Sequence, residues 1–187
     1  RLQSFREYQS ESAWTWEKLA LTRARVICGE EALVAELNGC IREALCTPRD
    51  AATTREDVLA MRKLMVKEQG SEGLWDIERV RGGLVELEFI AQTLQLIHAP
   101  ANPGILDTNT LGALAKSAAA GFLDPETAGQ LRHAGELYHR LTQVLRLCVD
   151  GLYDPSKALP ALNQLVASAA ACPDIPTAES LLADTQS

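Results

Sequence analysis

The chain has 187 residues, 47% of them hydrophobic and only 5% aromatic, and a formal net charge of -7. That length suits one domain with a core of its own, and the acidity argues against general nucleic-acid binding and electrostatic attachment to anionic lipid, both of which need a basic face, while leaving room for a local basic patch. No run is long and apolar enough to span a bilayer, and the polar opening Arg1-Leu2-Gln3-Ser4 reads as no signal peptide.

Residues 5–28 are predicted as a first helix ending at Gly29. Thr15, Lys18, Thr22 and Arg25 form its polar face, and Trp14, Trp16, Leu19, Leu21, Ala24 and Ile27 lie on the apolar arc. Glu17 and Arg23 fall inside that arc, six residues apart, and so do not face each other on one helix. Each needs a partner elsewhere. Glu86 or Glu88 could answer Arg23 across a helix pair, and breaking such a pair, if buried, would cost about 3–5 kcal/mol. A structural ion pair, or a charge that snorkels to the surface, is the plainer alternative.

Leu33, Val34, Leu37, Ile41 and Leu45 give the 3.6-residue period of a second helix over 31–46, stopped by Thr47-Pro48. Thr54-Arg55-Glu56-Asp57 resembles a capping box and is read as the start of a third helix running to Gly70. Residues 70–83, with four glycines, form a connection from which Trp75 and Ile77 tuck into a core.

Gly82-Gly83 open a long run, Leu84 to His98, whose Leu, Glu, Gln and Ala content and length predict a helix. Apolar groups point nearly all round its axis, which places it inside the protein. Two polar stripes interrupt it: Glu88, Gln92 and Gln95, facing a polar partner or cleft, and Glu86 with Thr93. The glycine pair before a helix start is compatible with phosphate binding on free amides. The Walker and Rossmann spacings are absent, and close backbone packing explains the pair equally well.

Pro100 and Pro103 end that helix. Asp107-Thr108-Asn109-Thr110 offers caps for a short helix to Gly121. Asp124-Pro125 places Asp at the N-cap and Pro at the first helical position of a helix from about 125 to 150. Further helices are expected near 158–171 and 177–184, with a frayed tail. No stretch alternates as a strand. The expected fold is therefore all-α, an antiparallel bundle of six or seven helices forming a single domain over 1–187.

The five cysteines, Cys28, Cys40, Cys46, Cys148 and Cys172, show no CxxC spacing, and the histidines His98, His133 and His139 do not supply paired ligands. No metal site is expected, and the thiols are read as buried or inert in a reducing cytoplasm. No Ser, Cys or His constellation suggests catalysis.

Gly82-Gly83-Leu-Val-Glu86-Leu-Glu88-Phe89-Ile-Ala-Gln92 resembles the signature of bacterial glutamine synthetase adenylyltransferases. The segment from Tyr8 through Trp14-Thr15-Trp16-Glu17 to Arg23-Ala24-Arg25 is also similar to that family, as is Met61-Arg62 ahead of Trp75-Asp76-Ile77. The resemblance is ordered over about the first hundred residues and looser beyond. It implies a helical domain that follows a nucleotidyltransferase domain, in the C-terminal, adenylylating half of the parent enzyme. The parent adds AMP from ATP to glutamine synthetase and removes it by phosphorolysis, under control of the PII protein of nitrogen metabolism.

The family's metal-binding Asp-x-Asp pair after a Gly-Ser loop is missing, so the fragment is expected to be inactive alone. ATP and magnesium are implied only for the parent. The implied partners are the parent's nucleotidyltransferase domain, glutamine synthetase and PII, and the implied location is cytoplasmic. Glu17, Arg23, Arg25, Gly82, Gly83, Glu86, Glu88 and Gln92 are the candidates for the domain interface or nucleotide cleft. Two departures from the family pattern stand out. Glu86 replaces a common Asp, and Glu78 lies where a Lys is common, which reverses the charge. The rival readings are a docking module for a regulator such as PII, marked by an exposed apolar patch away from Gly82, and the helical domain of a PII uridylyltransferase.

Overall fold

The computed structural model describes residues 2–187, and of Gln69 only the backbone. The described residues contain nine α-helices and no strand: α1 (Leu2–Glu11), α2 (Thr15–Leu21), α3 (Glu31–Cys46), α4 (Ala51–Gln69), α5 (Leu84–His98), α6 (Thr110–Ala119), α7 (Pro125–Cys148), α8 (Pro160–Ala169) and α9 (Ile175–Thr185). The fold is all-α, with more helices than the six or seven expected.

The main reason is that the expected first helix is two. Glu17 sits in the third position of α2 and its Oε2 accepts the Trp14 N–H at 2.9 Å, so a new helix starts where a continuous one was read. The helix ends at Leu21, and Ile27, assigned to the apolar arc, is 85% exposed. Trp14 and Trp16 are exposed as well. The start of α4 also lies earlier than Thr54. Asp50 caps it, accepting the Thr53 N–H and hydroxyl, each at 2.7 Å. Helices α3, α5, α6 and α7 lie where their patterns place them, with Asn109 and Asp124 capping the last two.

The chain divides into two compact units. The first takes in residues up to Lys63 together with Glu88–Ala128. Leu19, Leu21, Ala44, Leu45, Val58 and Leu96 form its core, with Phe5, Ile41, Met61 and Phe89 packed against them. Helix α3 packs on both α1 and α2, and Arg6 reaches Glu43 across the α1–α3 contact at 3.1 Å. Gln95 is buried in α5, and its Oε1 accepts the Asp107 N–H at 2.8 Å, tying the helix to the loop after it.

The second unit comprises Leu64–Leu87 and Gly129–Ser187. Trp75 and Ile77 are buried there as expected, with Leu84, Leu87, Leu137, Tyr138, Leu141, Val166 and Leu182. Trp75 meets Tyr153 edge-on, with ring centroids 4.8 Å apart, and donates its indole N–H to Glu179 at 3.0 Å. The tail is not frayed. Leu182 is fully buried, and Gln186 donates its side-chain amide to the Leu74 carbonyl at 3.1 Å.

Candidate functional site

The structure places the eight candidate residues in two groups, one in each unit. Glu17, Arg23, Arg25, Glu88 and Gln92 belong to the first. Glu17 is a helix cap: besides the Trp14 amide it accepts the Tyr8 hydroxyl at 2.5 Å. The Tyr8 hydrogen bond, then that amide, hold its carboxyl below the usual range. Thr22 ends α2, its hydroxyl turned back to the Leu19 carbonyl at 2.7 Å. Arg23 therefore leaves the helix end and pairs with Glu88 on α5.

The Arg23 and Glu88 side chains are 47% and 22% exposed, so this is not the buried pair considered from sequence, and its contribution falls to that of a surface ion pair, about 1 kcal/mol or less. One turn further along α5 Gln92 is buried. The polar stripe thus runs from a half-buried Glu88 into the interior at Gln92 and Gln95. Arg25 is exposed and makes no ion pair among the described residues.

Gly82, Gly83 and Glu86 form the second group, around the first turn of α5. Gly82 adopts φ +75°, and a Cβ there would lie 2.8 Å from the Gln186 carbonyl carbon. A Cβ on Gly83 would lie 2.8 Å from the Val80 carbonyl oxygen. Both positions require glycine because other backbone already occupies the space.

The amides that a phosphate would need are also taken. The Gly82 N–H donates to Glu86 Oε2 at 2.8 Å, the Gly83 N–H to Val80 at 2.9 Å, the Leu84 N–H to Ile77 at 2.9 Å and the Val85 N–H to Glu78 at 3.1 Å. This helix start is closed by its own chain. The Gly82 carbonyl in turn accepts the Tyr138 hydroxyl at 2.7 Å. Tyr138 is fully buried, and burial together with the charge of Glu86 pushes its phenol up to about 12.

Beside this group the second unit carries a cleft of ≈ 450 Å³ whose lining includes Trp75, Asp76, Glu78, Thr142 and Arg146. Glu78, where the resembled family commonly has Lys, accepts the Arg146 guanidinium through Nε at 3.1 Å and Nη2 at 2.5 Å. The reversed charge is therefore matched within the unit.

Tyr138, Arg146 and Gln186 were invisible as partners from sequence. Each meets its contact across 47 to 112 residues of chain, and no spacing rule reaches that far. Of the histidines, His98 stacks on Phe122 with ring centroids 4.1 Å apart. The five cysteines are free, with Cys40 buried and Cys28 and Cys148 exposed, so of the expected buried or inert thiols those two are not buried.

The magnesium implied for the resembled enzyme needs several carboxylates converging on one point. Among the described residues no group of three or more His, Cys, Asp or Glu converges in that way. The donor set of the described residues does not fit the ion. No described helix is long and apolar enough to cross a membrane.

The described residues form an all-α fold whose central helix is opened by two glycines and closed at its start by its own chain. Residues 60–154, about half of the chain, match the family model described as GlnD PII-uridylyltransferase, and residues 1–39 match that of glutamate-ammonia ligase adenylyltransferase. A bifunctional glutamine synthetase adenylyltransferase/adenylyl-removing enzyme from Rhodopseudomonas palustris (strain BisB5) is 45% identical over 186 residues, 100% of this chain and 19% of that protein. Proteins of the same description from Xanthobacter autotrophicus and Bradyrhizobium sp. (strain BTAi1) are 47% and 44% identical over the same shares. The chain belongs to the glutamine synthetase adenylyltransferase family, and it spans about a fifth of the length of the curated relatives it matches.

Proposed function

We propose that this chain is the helical domain of a bifunctional glutamine synthetase adenylyltransferase/adenylyl-removing enzyme. It packs against a nucleotidyltransferase domain of the C-terminal, adenylylating half and helps to form the cleft in which AMP passes from ATP to glutamine synthetase. ATP, magnesium and the transfer chemistry belong to that other domain. Glutamine synthetase is the substrate protein, PII the regulator and the cytoplasm the setting.

The observation that carries this reading is the full-length match: the whole chain is similar to one continuous fifth of such enzymes. Two features of the first unit support it. Trp14 and Trp16 are 68% and 54% exposed, a costly arrangement for a face that nothing else covers. Arg23 and Glu88 form a half-exposed ion pair, open to approach by another domain.

The test is adenylylation of glutamine synthetase, with ATP and magnesium, by the chain alone and by the chain joined to the preceding nucleotidyltransferase segment of its parent. Silence alone and activity when joined is the expected result. Activity of the isolated chain, or a folded joined protein that transfers nothing, would overturn the reading. In the second case the exposed tryptophans would mark a docking face for a regulator.

A further inference from the structure

The stretch Arg23-Ala24-Arg25-Val26-Ile27-Cys28 lies between α2 and α3, within the first unit. Connections of this kind are rich in Gly, Pro, Asn, Asp and Ser. This one has none of them before Gly29, and it sets two β-branched residues, Val26 and Ile27, side by side, a composition that suits a strand. From Ala24 to Ile27 the chain makes no helix, turn or bend. Its side chains alternate. Ala24 packs against the core and Val26 is half-buried, whereas Arg25 is exposed and Ile27 is 85% exposed. Inward and outward at every second residue is the period of an extended strand.

A strand also needs main-chain partners, and this one has none. Among the described residues, no main-chain N–H from Arg25 to Glu30 donates to a main-chain carbonyl, and no main-chain N–H donates to a carbonyl from Arg23 to Gly29. The described residues contain no strand, so they offer no sheet edge that could supply the missing bonds. The local preference of Val26-Ile27 conflicts with the all-α surroundings, and a local rule broken without compensation inside the chain marks a position with a use outside it.

We propose that residues 24–28 are a docking strand that pairs with the edge of a β-sheet in another domain. The occupant is an edge strand of the nucleotidyltransferase domain, which rests on the reading above that such a domain packs against this chain. Two observations favour it over a separate protein. The curated relatives carry the matching stretch as 19% of one polypeptide, and a domain on the same polypeptide is present at high effective concentration. The strand also begins directly after Arg23, whose half-exposed ion pair with Glu88 the same reading leaves open to that domain. Arg25 and Ile27, two residues apart on the outward face, call for a partner strand with a carboxylate opposite Arg25 and a β-branched or aromatic residue opposite Ile27.

The experiment is amide hydrogen exchange, resolved by residue, in the 187-residue chain and in the chain joined to the nucleotidyltransferase segment. In the chain alone, the amides of residues 25–29 should exchange as in an unstructured peptide. In the joined protein, exchange should slow by at least about tenfold at alternate residues, because successive N–H groups of a strand point to opposite edges and only one edge is paired. Ile27→Gly should reverse that slowing by about tenfold, and Ile27→Val, which keeps the β-branch, should preserve it. Ile27 is so exposed that both variants should melt as the unsubstituted chain does.

Exchange unchanged on joining, slowing of every amide alike, or slowing that Ile27→Gly leaves intact would each overturn the proposal. Slowing in the chain alone that grows with its concentration would show that a second copy pairs there, and would overturn it as well. Adenylyl transfer and shielding of Trp14 and Trp16 that persist without the alternate pattern would sink the strand and spare the reading beneath it. A joined protein that neither transfers nor shields them would overturn both.

Discussion

The Tyr138 hydroxyl donates to the Gly82 carbonyl at 2.7 Å, so the residue that opens the central helix is fixed by a phenol 56 positions away. Tyr138→Phe leaves that carbonyl short of its best donor and should cost about 1–2 kcal/mol in chemical denaturation.

The same phenol makes a pH prediction. Its pKa is about 12 in the folded protein against an ordinary 10. The folded state keeps the proton after the unfolded chain has lost it, so the contribution is complete below pH 10 and disappears as pH rises towards 12. Stability measured across that window should fall by about 3 kcal/mol more in the unsubstituted chain than in Tyr138→Phe.

Gly82→Ala forces an L side chain into positive φ and into the Gln186 backbone. The conformation alone costs about 1–2 kcal/mol, and the overlap should raise the loss further. Removing Gln186 and Ser187 takes away the overlapping atoms but not the φ penalty. In a double-mutant cycle the alanine should therefore cost less in the shortened chain, and equal costs in both would refute the assigned overlap.

Glu17 is held below its ordinary 4.5 by the Tyr8 hydroxyl and then the Trp14 amide. A depressed carboxyl supplies stability above its unfolded pKa and loses it as pH falls through the folded value. Glu17→Gln should lower the melting temperature at neutral pH and flatten the acid-side loss below pH 4.5, as followed by circular dichroism.

Arg23 and Glu88, half open to solvent, should couple by less than about 1 kcal/mol in a double-mutant cycle. In the joined protein Glu88→Gln should lower adenylylation well beyond that small change in stability. Unchanged transfer would remove Glu88 from the cleft.

Trp14 and Trp16 are open and Trp75 is 8% exposed, so acrylamide should quench the first two and spare the third. Joining the nucleotidyltransferase segment should protect Trp14 and Trp16. Quenching that does not change on joining would place that domain elsewhere.

The helices that the sequence located well are those with a local stop or cap. Helix α7 follows Asp124-Pro125, α6 follows Asn109, and α3 stops before Thr47-Pro48. These signals act within a turn of the helix and survive without knowledge of the rest of the chain. The break at Trp14 was written in Glu17, three residues on, but a continuous apolar arc hid it. Asp50, likewise three residues before Thr53, carries the true cap, and the capping pattern at Thr54 resembles it more weakly.

Periodicity and composition alone determined that the chain is all-α and that α5 is covered on most sides, because apolar residues on nearly every side of a helix must be covered, although Ile90 stays 39% exposed. Tertiary structure decided what the polar groups do. It gave Arg23 to Glu88, closed the Gly82-Gly83 amides with nearby carbonyls and Glu86, and anchored the tail through Gln186. A hydrogen bond or ion pair depends on a separation of a few ångströms, and the folded chain sets that separation between residues far apart in sequence.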